Sequence, residues 1–141
     1  MTAMTRTERE SFLAEPHVGV LAVAAGERAP VVAPIWYLYE PGGDVLMVTH
    51  TQTKKGRRIT AEGRATLLVQ SEALPYRHVS VEGPVTFEPF GDGEVVRRIG
   101  VRYLGPGLGE QYADMLMRVC DTVVRLRPER WGAAMSPLGA V

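Results

Sequence analysis

Pro34-Ile35-Trp36-Tyr37-Leu38-Tyr39, then Asp44-Val45-Leu46-Met47-Val48-Thr49-His50, then Thr51-Gln52-Thr53-Lys54-Lys55-Gly56-Arg57-Arg58-Ile59: the rest of the chain is read outward from this stretch. An aromatic strand turns at Pro41-Gly42-Gly43 into a second strand. That strand empties into a hydroxyl-rich loop and then a cationic helix start. Hydroxyls, backbone amides and fixed cations converging on a helix N-terminus make a place for a phosphate. Thr49, Thr51 and Thr53 supply the hydroxyls, Lys54 and Lys55 point charges, and Arg57 and Arg58 forked donors. The helix dipole adds to their field. The same composition also describes a solvated loop that merely caps a helix, and a run of cations is commonly a wet face. The Gly-rich lead-in of a Walker loop is absent.

Upstream, Thr5-Arg6-Thr7-Glu8 has the spacing of a capping box and predicts a short helix over 5–14. Val18 to Ala25 reads as a buried strand, Gly26-Glu27-Arg28 as a turn and Val31 to Tyr39 as the next strand. Pro34 places that strand at an edge or a bulge. Asp44 to Thr49 is a strand, Lys54 to Glu62 a helix closed by Gly63, and Ala65 to Gln70 a strand. His78 to Glu88 is a long strand with a bulge or bend expected at Gly83-Pro84. Gly93 to Tyr103 and Glu110 to Met117 read as helices, broken by the glycines between them. Val119 to Leu126 and Trp131 to Met135 are the last strands.

Tight turns between neighbouring strands imply antiparallel pairing, and there is no regular strand–helix alternation. The expected architecture is mainly β with short helices: one domain over 1–141, its barrel spanning about 17–135, with six to seven antiparallel strands.

The 16 basic residues balance 16 acidic ones, which argues against bulk nucleic-acid binding. No apolar run approaches a membrane span, and the polar first ten residues show no secretory signal. A cytoplasmic protein is the expectation. The single cysteine, Cys120, excludes an internal disulfide; its apolar surroundings read as a buried, inert position in a strand. His17, His50 and His78 lack metal-ligand spacing, and only His50 lies beside the hydroxyl loop. Tyr37 and Tyr39 share one face of their strand and Trp36 takes the other, as core residues or as a surface for a flat ring. No serine sits on a nucleophile elbow and no carboxylate pair stands out. A binding site without a catalytic machine points to a cofactor that carries the chemistry.

Read together, several segments resemble the flavin-binding split-barrel superfamily of pyridoxamine 5'-phosphate oxidase-like proteins, and within it the actinobacterial branch that uses the deazaflavin coenzyme F-420. The carriers are Glu15-Pro16-His17-Val18-Gly19-Val20-Leu21, Pro34-Ile35-Trp36-Tyr37, Lys55-Gly56-Arg57-Arg58-Ile59, Val79-Ser80-Val81-Glu82-Gly83, Arg102-Tyr103-Leu104-Gly105 and Val124 to Trp131. At the cofactor helix the family reads Lys-x-Arg-Asn-Leu; Lys55 and Arg57 match, while Arg58 and Ile59 replace the last two. The resemblance implies a split β-barrel holding F-420 or FMN, with Lys55, Thr49, Thr51, Thr53 and Arg58 around the phosphate; His50 joins these candidates by its position beside the hydroxyl loop. It places Pro34, Ile35 and Trp36 against the ring, and Trp131 near the cofactor or the dimer seam. It further implies a homodimer with cofactor sites at the interface, Gly100–Gly109 reaching over the partner's site, and hydride transfer to a small electron-poor acceptor. A non-catalytic binder of flavin, haem or another flat ligand is the rival from a different class. A true pyridoxamine 5'-phosphate oxidase ranks below both. Only Arg125, Arg127 and Arg130 offer a second basic cluster, and alternation puts Arg125 and Arg127 on one strand face.

Overall fold

The computed structural model describes residues 2–137. Its elements are β1 (Thr2–Ala3), α1 (Arg6–Ala14), β2 (Gly19–Ala25), β3 (Arg28–Ile35), β4 (Val45–Thr49), α2 (Lys54–Glu62), β5 (Arg64–Gln70), β6 (Tyr76–Glu88), α3 (Glu94–Leu104), α4 (Leu108–Val119), β7 (Thr122–Leu126) and β8 (Arg130–Ser136). The strands form one eight-stranded antiparallel sheet in the order β1-β8-β6-β5-β2-β3, with β7 branching from β6 and carrying β4. Among the described residues only an isolated bridge between Leu38 and Leu46 links the segment after β3 to β4, so the barrel is left open there. One strand more is present than the sequence implies, because the two-residue β1 pairs with Met135 and Ala134.

Local chemistry sets the ends of these elements. Thr5 accepts from the Glu8 amide while Glu8 accepts from the Thr5 amide, the reciprocal capping box that starts α1. Thr53 caps α2 by accepting from the Gly56 amide at 3.1 Å, and Gly63 closes that helix at φ 67°. Pro34 lies on β3, which among the described residues pairs with β2 alone, an edge position of the kind that tolerates proline. At Gly83 and Pro84 the register against β5 runs on unbroken, so there is no bulge against that strand. Instead β6 changes its other partner from β8 to β7 at this point. A side chain at Gly83 would overlap the Arg127 carbonyl, which is why the corner takes glycine.

Inward residues of β2, β5 and β6, with Tyr37, Tyr39, Val45, Met47, Val124, Leu126 and the α1 pair Phe12 and Leu13, fill the barrel. Leu38, Val48, Val96, Ile99, Ala113 and Val123 form a second core beneath the α3–α4 hairpin. Strands β4 and β7 thus have apolar cover on both faces and read as continuous apolar runs. The hairpin closes where Gly100 meets Gly109: a side chain on Gly100 would overlap the Gly109 carbonyl, and one on Gly109 would lie 2.6 Å from Val101 Cα. No helix among the described residues is long and apolar enough to cross a membrane.

Several boundaries differ from the sequence reading. β3 ends at Ile35 rather than Tyr39, because the chain leaves β2 there and crosses toward β4. β7 starts at Thr122, since α4 runs on through Val119. Cys120 is therefore not a strand residue: it caps the C-terminus of α4, its N–H donating to Leu116 O at 2.8 Å.

Candidate functional site

The end of β3, the β4–α2 loop and the inner side of the α3–α4 hairpin enclose an open cavity of about 350 Å³. One wall is apolar, with Val18, Ile35, Trp36, Ile99, Leu116 and Val119; the other carries Thr49, His50, Thr53 and Lys55. Lys55 supplies the one formal cation of this lining. Burial holds its ammonium below the usual lysine range, and among the described residues no carboxylate pairs with it. An unpaired, partly desolvated cation is held at a cost, and an incoming anion would relieve it. Cys120 sits beside Lys55; burial pushes its thiol up, with the ammonium pulling the other way.

The loop itself is heavily bonded. Thr53 Oγ donates to His50 O at 2.8 Å while accepting the Gly56 amide. His50 Nδ1 accepts from the Gln52 amide at 3.0 Å, which leaves Nε2 to carry the proton of the neutral ring. Gly56 packs so closely under this turn that a side chain would overlap His50 O. The glycine between the two cationic pairs therefore lets the helix start approach the loop.

Trp36 stands on the apolar side, stacked on Tyr103 with centroids 4.5 Å apart and planes 7° from parallel; Tyr112 tilts against it at 4.9 Å. The Tyr103 hydroxyl lies 2.7 Å from His17 O and accepts the Tyr37 amide at 3.2 Å. It thereby ties α3 to the segment after β3 that carries Trp36. Tyr37 and Tyr39 are buried in the barrel and take no part in the cavity.

Of the residues singled out in the sequence, Pro34, Ile35, Trp36, Thr49, His50, Thr53 and Lys55 come together around one space. Three others lie elsewhere. Thr51 turns to Asp121, its N–H and Oγ donating to the carboxylate at 2.9 and 2.7 Å. Arg58 reaches the opposite side of α2, donating from Nε and Nη2 to Ala24 O at 3.1 Å and from Nη2 to Glu62 at 2.5 Å. With Arg28, Lys54 and Arg57 it lines a separate hollow. Trp131 packs against Tyr39 and beneath the Arg9 guanidinium. Tyr112, Leu116, Cys120 and Asp121 gave no signal in the sequence, because their relation to the loop is made only by the hairpin's return.

The fold and this cavity define a split-barrel protein of the flavin-binding kind, in which fold alone does not fix activity. The family described as pyridoxamine 5'-phosphate oxidase matches residues 5–134, and the chain belongs to it. A conserved hypothetical protein from Mycobacterium tuberculosis superposes with a TM-score of 0.74 at 23% identity, covering 95% of this chain and 86% of that one. An F-420 reductase gives 0.69 at 26% identity, over 87% of this chain and 94% of that one. A FAD-binding protein from Mesorhizobium loti gives 0.69 at 20%, over 93% of each chain. No curated protein sequence matches.

Proposed function

We propose that the cavity holds a flavin-type cofactor, F-420 or FMN, and that the protein is an oxidoreductase passing a hydride to a small electron-poor organic acceptor. The observation that carries this reading is Lys55: a partly buried ammonium without a carboxylate partner among the described residues, lining the same cavity as Trp36 and several aliphatic side chains. A ligand with one anionic end and a flat apolar body satisfies both ends. The F-420 reductase and the FAD-binding protein among the structural neighbours support this chemistry.

The chain's own residues would bind and orient. Lys55 anchors the phosphate by charge, with the first-turn amides of α2 beside it. Trp36, braced by Tyr103, and Ile35 would border the ring, and the hairpin residues Ile99, Tyr112 and Leu116 would exclude water from it. When bound, the cofactor supplies the hydride chemistry that no side chain here provides. Pyridoxamine 5'-phosphate oxidation itself is not favoured. Arg125, from the second basic cluster, is engaged by Glu88 at 2.5 Å and Asp44 at 3.4 Å, and neither Arg127 nor Arg130 lines the cavity.

The working unit is a homodimer. Val18 and Val119 expose 59% and 56% of their surface at the cavity rim, and Val32 exposes 60% on edge strand β3. A second copy would cover this rim and complete the site.

Titration of the apo-protein with F-420 and with FMN, followed by fluorescence, tests the reading. Tight binding of either one, weakened at least tenfold in Lys55→Ala, is the expected result. Binding of neither would reduce the likeness to fold alone and turn the search to haem and other flat ligands.

A further inference from the structure

Helix α2 begins against the usual preference. Its first turn holds Lys54 and Lys55 and no acidic residue, although a helix start favours negative charge. Arg57 and Arg58 follow one turn later, so Lys54 meets like charges at i+3 and i+4, a spacing that works against the helix. Of these, Arg58 alone is offset, by Glu62 four residues on. The cations do not share one target. Lys55 lines the cavity, whereas Lys54, Arg57 and Arg58 share another face of α2 and line a separate hollow of about 470 Å³. Arg28, at the start of β3, adds a fourth cation there. The rest of the lining is Ala25, Ala29, Pro30 and Val31, with no carboxylate, no aromatic ring and no accepting side chain. No residue lines both spaces. Among the described residues Arg28, Lys54 and Arg57 form no ion pair with a carboxylate, while Arg6, Arg64, Arg97, Arg98 and Arg125 each do. Arg58 is fixed before any ligand arrives, its Nε and Nη2 both donating to Ala24 O at 3.1 Å.

We infer that this hollow is a second anion site, independent of the cavity, and that it takes a compact oligophosphate of two or more phosphoryl groups. A monoanion would leave most of the local charge unmatched. A di- or triphosphate spreads several charges over several oxygens, which guanidinium forks bind two at a time, and Lys54 adds a point charge. A lining without a ring or an accepting side chain reads neither base nor sugar, so charge and length are what it recognises. The like-charge repulsion along α2 is relieved as the anion binds, so occupancy stabilises the helix start. The cations are gathered from β3 and from two turns of α2, and the site does not rest on the helix end alone. It stands apart from the reading of Lys55, because the two spaces have no residue in common.

The test is calorimetric titration of the whole chain with orthophosphate, pyrophosphate and tripolyphosphate. Wild type is expected to bind tripolyphosphate about tenfold or more tighter than orthophosphate. Arg28→Ala and Arg57→Ala, both at exposed positions, each weaken tripolyphosphate binding about tenfold, the effect of one lost charge-assisted pair. Lys55→Ala stays within about threefold of wild type. So does the double variant Arg118→Ala/Arg130→Ala, which removes two exposed cations outside the hollow. The inference is overturned if tripolyphosphate fails to bind or binds no better than orthophosphate, or if Arg57→Ala behaves as wild type. It is overturned equally if Lys55→Ala or the double variant loses as much as Arg57→Ala. Displacement of tripolyphosphate by saturating F-420 or FMN would also overturn it, since the hollow would then belong to a cofactor seated in the cavity. Failure of F-420 and FMN to bind, with the phosphate results intact, would sink the cofactor reading and leave the second site standing.

Discussion

The two walls of the cavity are built on opposite principles. The β4–α2 wall is local: Thr49 to Gly56 are consecutive, and most of their hydrogen bonds stay within the segment or its helix. The α3–α4 wall is assembled at long range. It depends on two helices crossing at Gly100 and Gly109, and on Tyr103 reaching back to His17 and Tyr37, 86 and 66 residues away in sequence. A wall made of consecutive residues can be read from sequence. One made by a crossing cannot, even when its glycines are in plain view.

The largest expected effect breaks the hairpin wall. Gly100→Ala places a methyl group where the Gly109 carbonyl stands, and backbone cannot swing aside as a side-chain end can. We expect a loss of about 3 kcal/mol in denaturant unfolding, since overpacking of a tight contact costs about 1–3 kcal/mol and sometimes more. Unchanged stability would mean that the helices have freedom to separate. The same change at Gly56 presses on His50 O and should strike cofactor affinity more than stability, because the loop is exposed on its outer side.

What the sequence discloses follows the same division. The capping box of α1, the Thr53 cap of α2 and the Gly63 stop all have signatures within a few residues. The cluster of Pro34, Trp36, His50, Thr53 and Lys55 was legible because β3, β4 and the start of α2 follow one another along the chain. Arg58 and Thr51 were misplaced for a different reason. Composition tells which donors are present and not which acceptor claims them, and here Ala24 O, Glu62 and Asp121 do. The strand read from Val119 was a matter of period. Val119 continues the helical ridge of α4, and the extended backbone begins only at Cys120, with φ −112° and ψ 163°.

Next in size is the link between hairpin and strand. Tyr103→Phe removes the hydroxyl that accepts the buried Tyr37 amide and donates toward His17 O. Stacking on Trp36 is retained, so the change isolates the hydrogen bonds. A loss of about 1–2 kcal/mol is expected, the cost of leaving a buried backbone donor without a partner. A Trp36 emission spectrum identical to wild type together with full stability would refute the proposed tie.

A smaller effect of opposite sign belongs to the loop wall. Lys55→Met keeps the length of the side chain and removes a desolvated charge, so stability should rise by about 1 kcal/mol near neutral pH while phosphate-dependent binding is lost. Thermal unfolding of the two apo-proteins side by side reads the first change, and a cofactor titration the second. A variant that is less stable than wild type would show the ammonium to be paired in solution.

The smallest effect joins the two walls and depends on pH. Asp121 is exposed, and its carboxyl is depressed by the Thr51 hydrogen bonds, so it favours the folded state only while ionised. A depressed carboxyl contributes stability that is fully present above the unfolded-state value and is lost as pH falls through the lower folded-state value. Wild type should therefore exceed Asp121→Asn in stability at neutral pH, and the gap should close as the solution is taken below the ordinary carboxylate range. Solvent screening keeps the gap small. Urea unfolding of both proteins across that range decides the point: a gap that persists unchanged in acid would mean that Asp121 fastens the loop by shape rather than by charge.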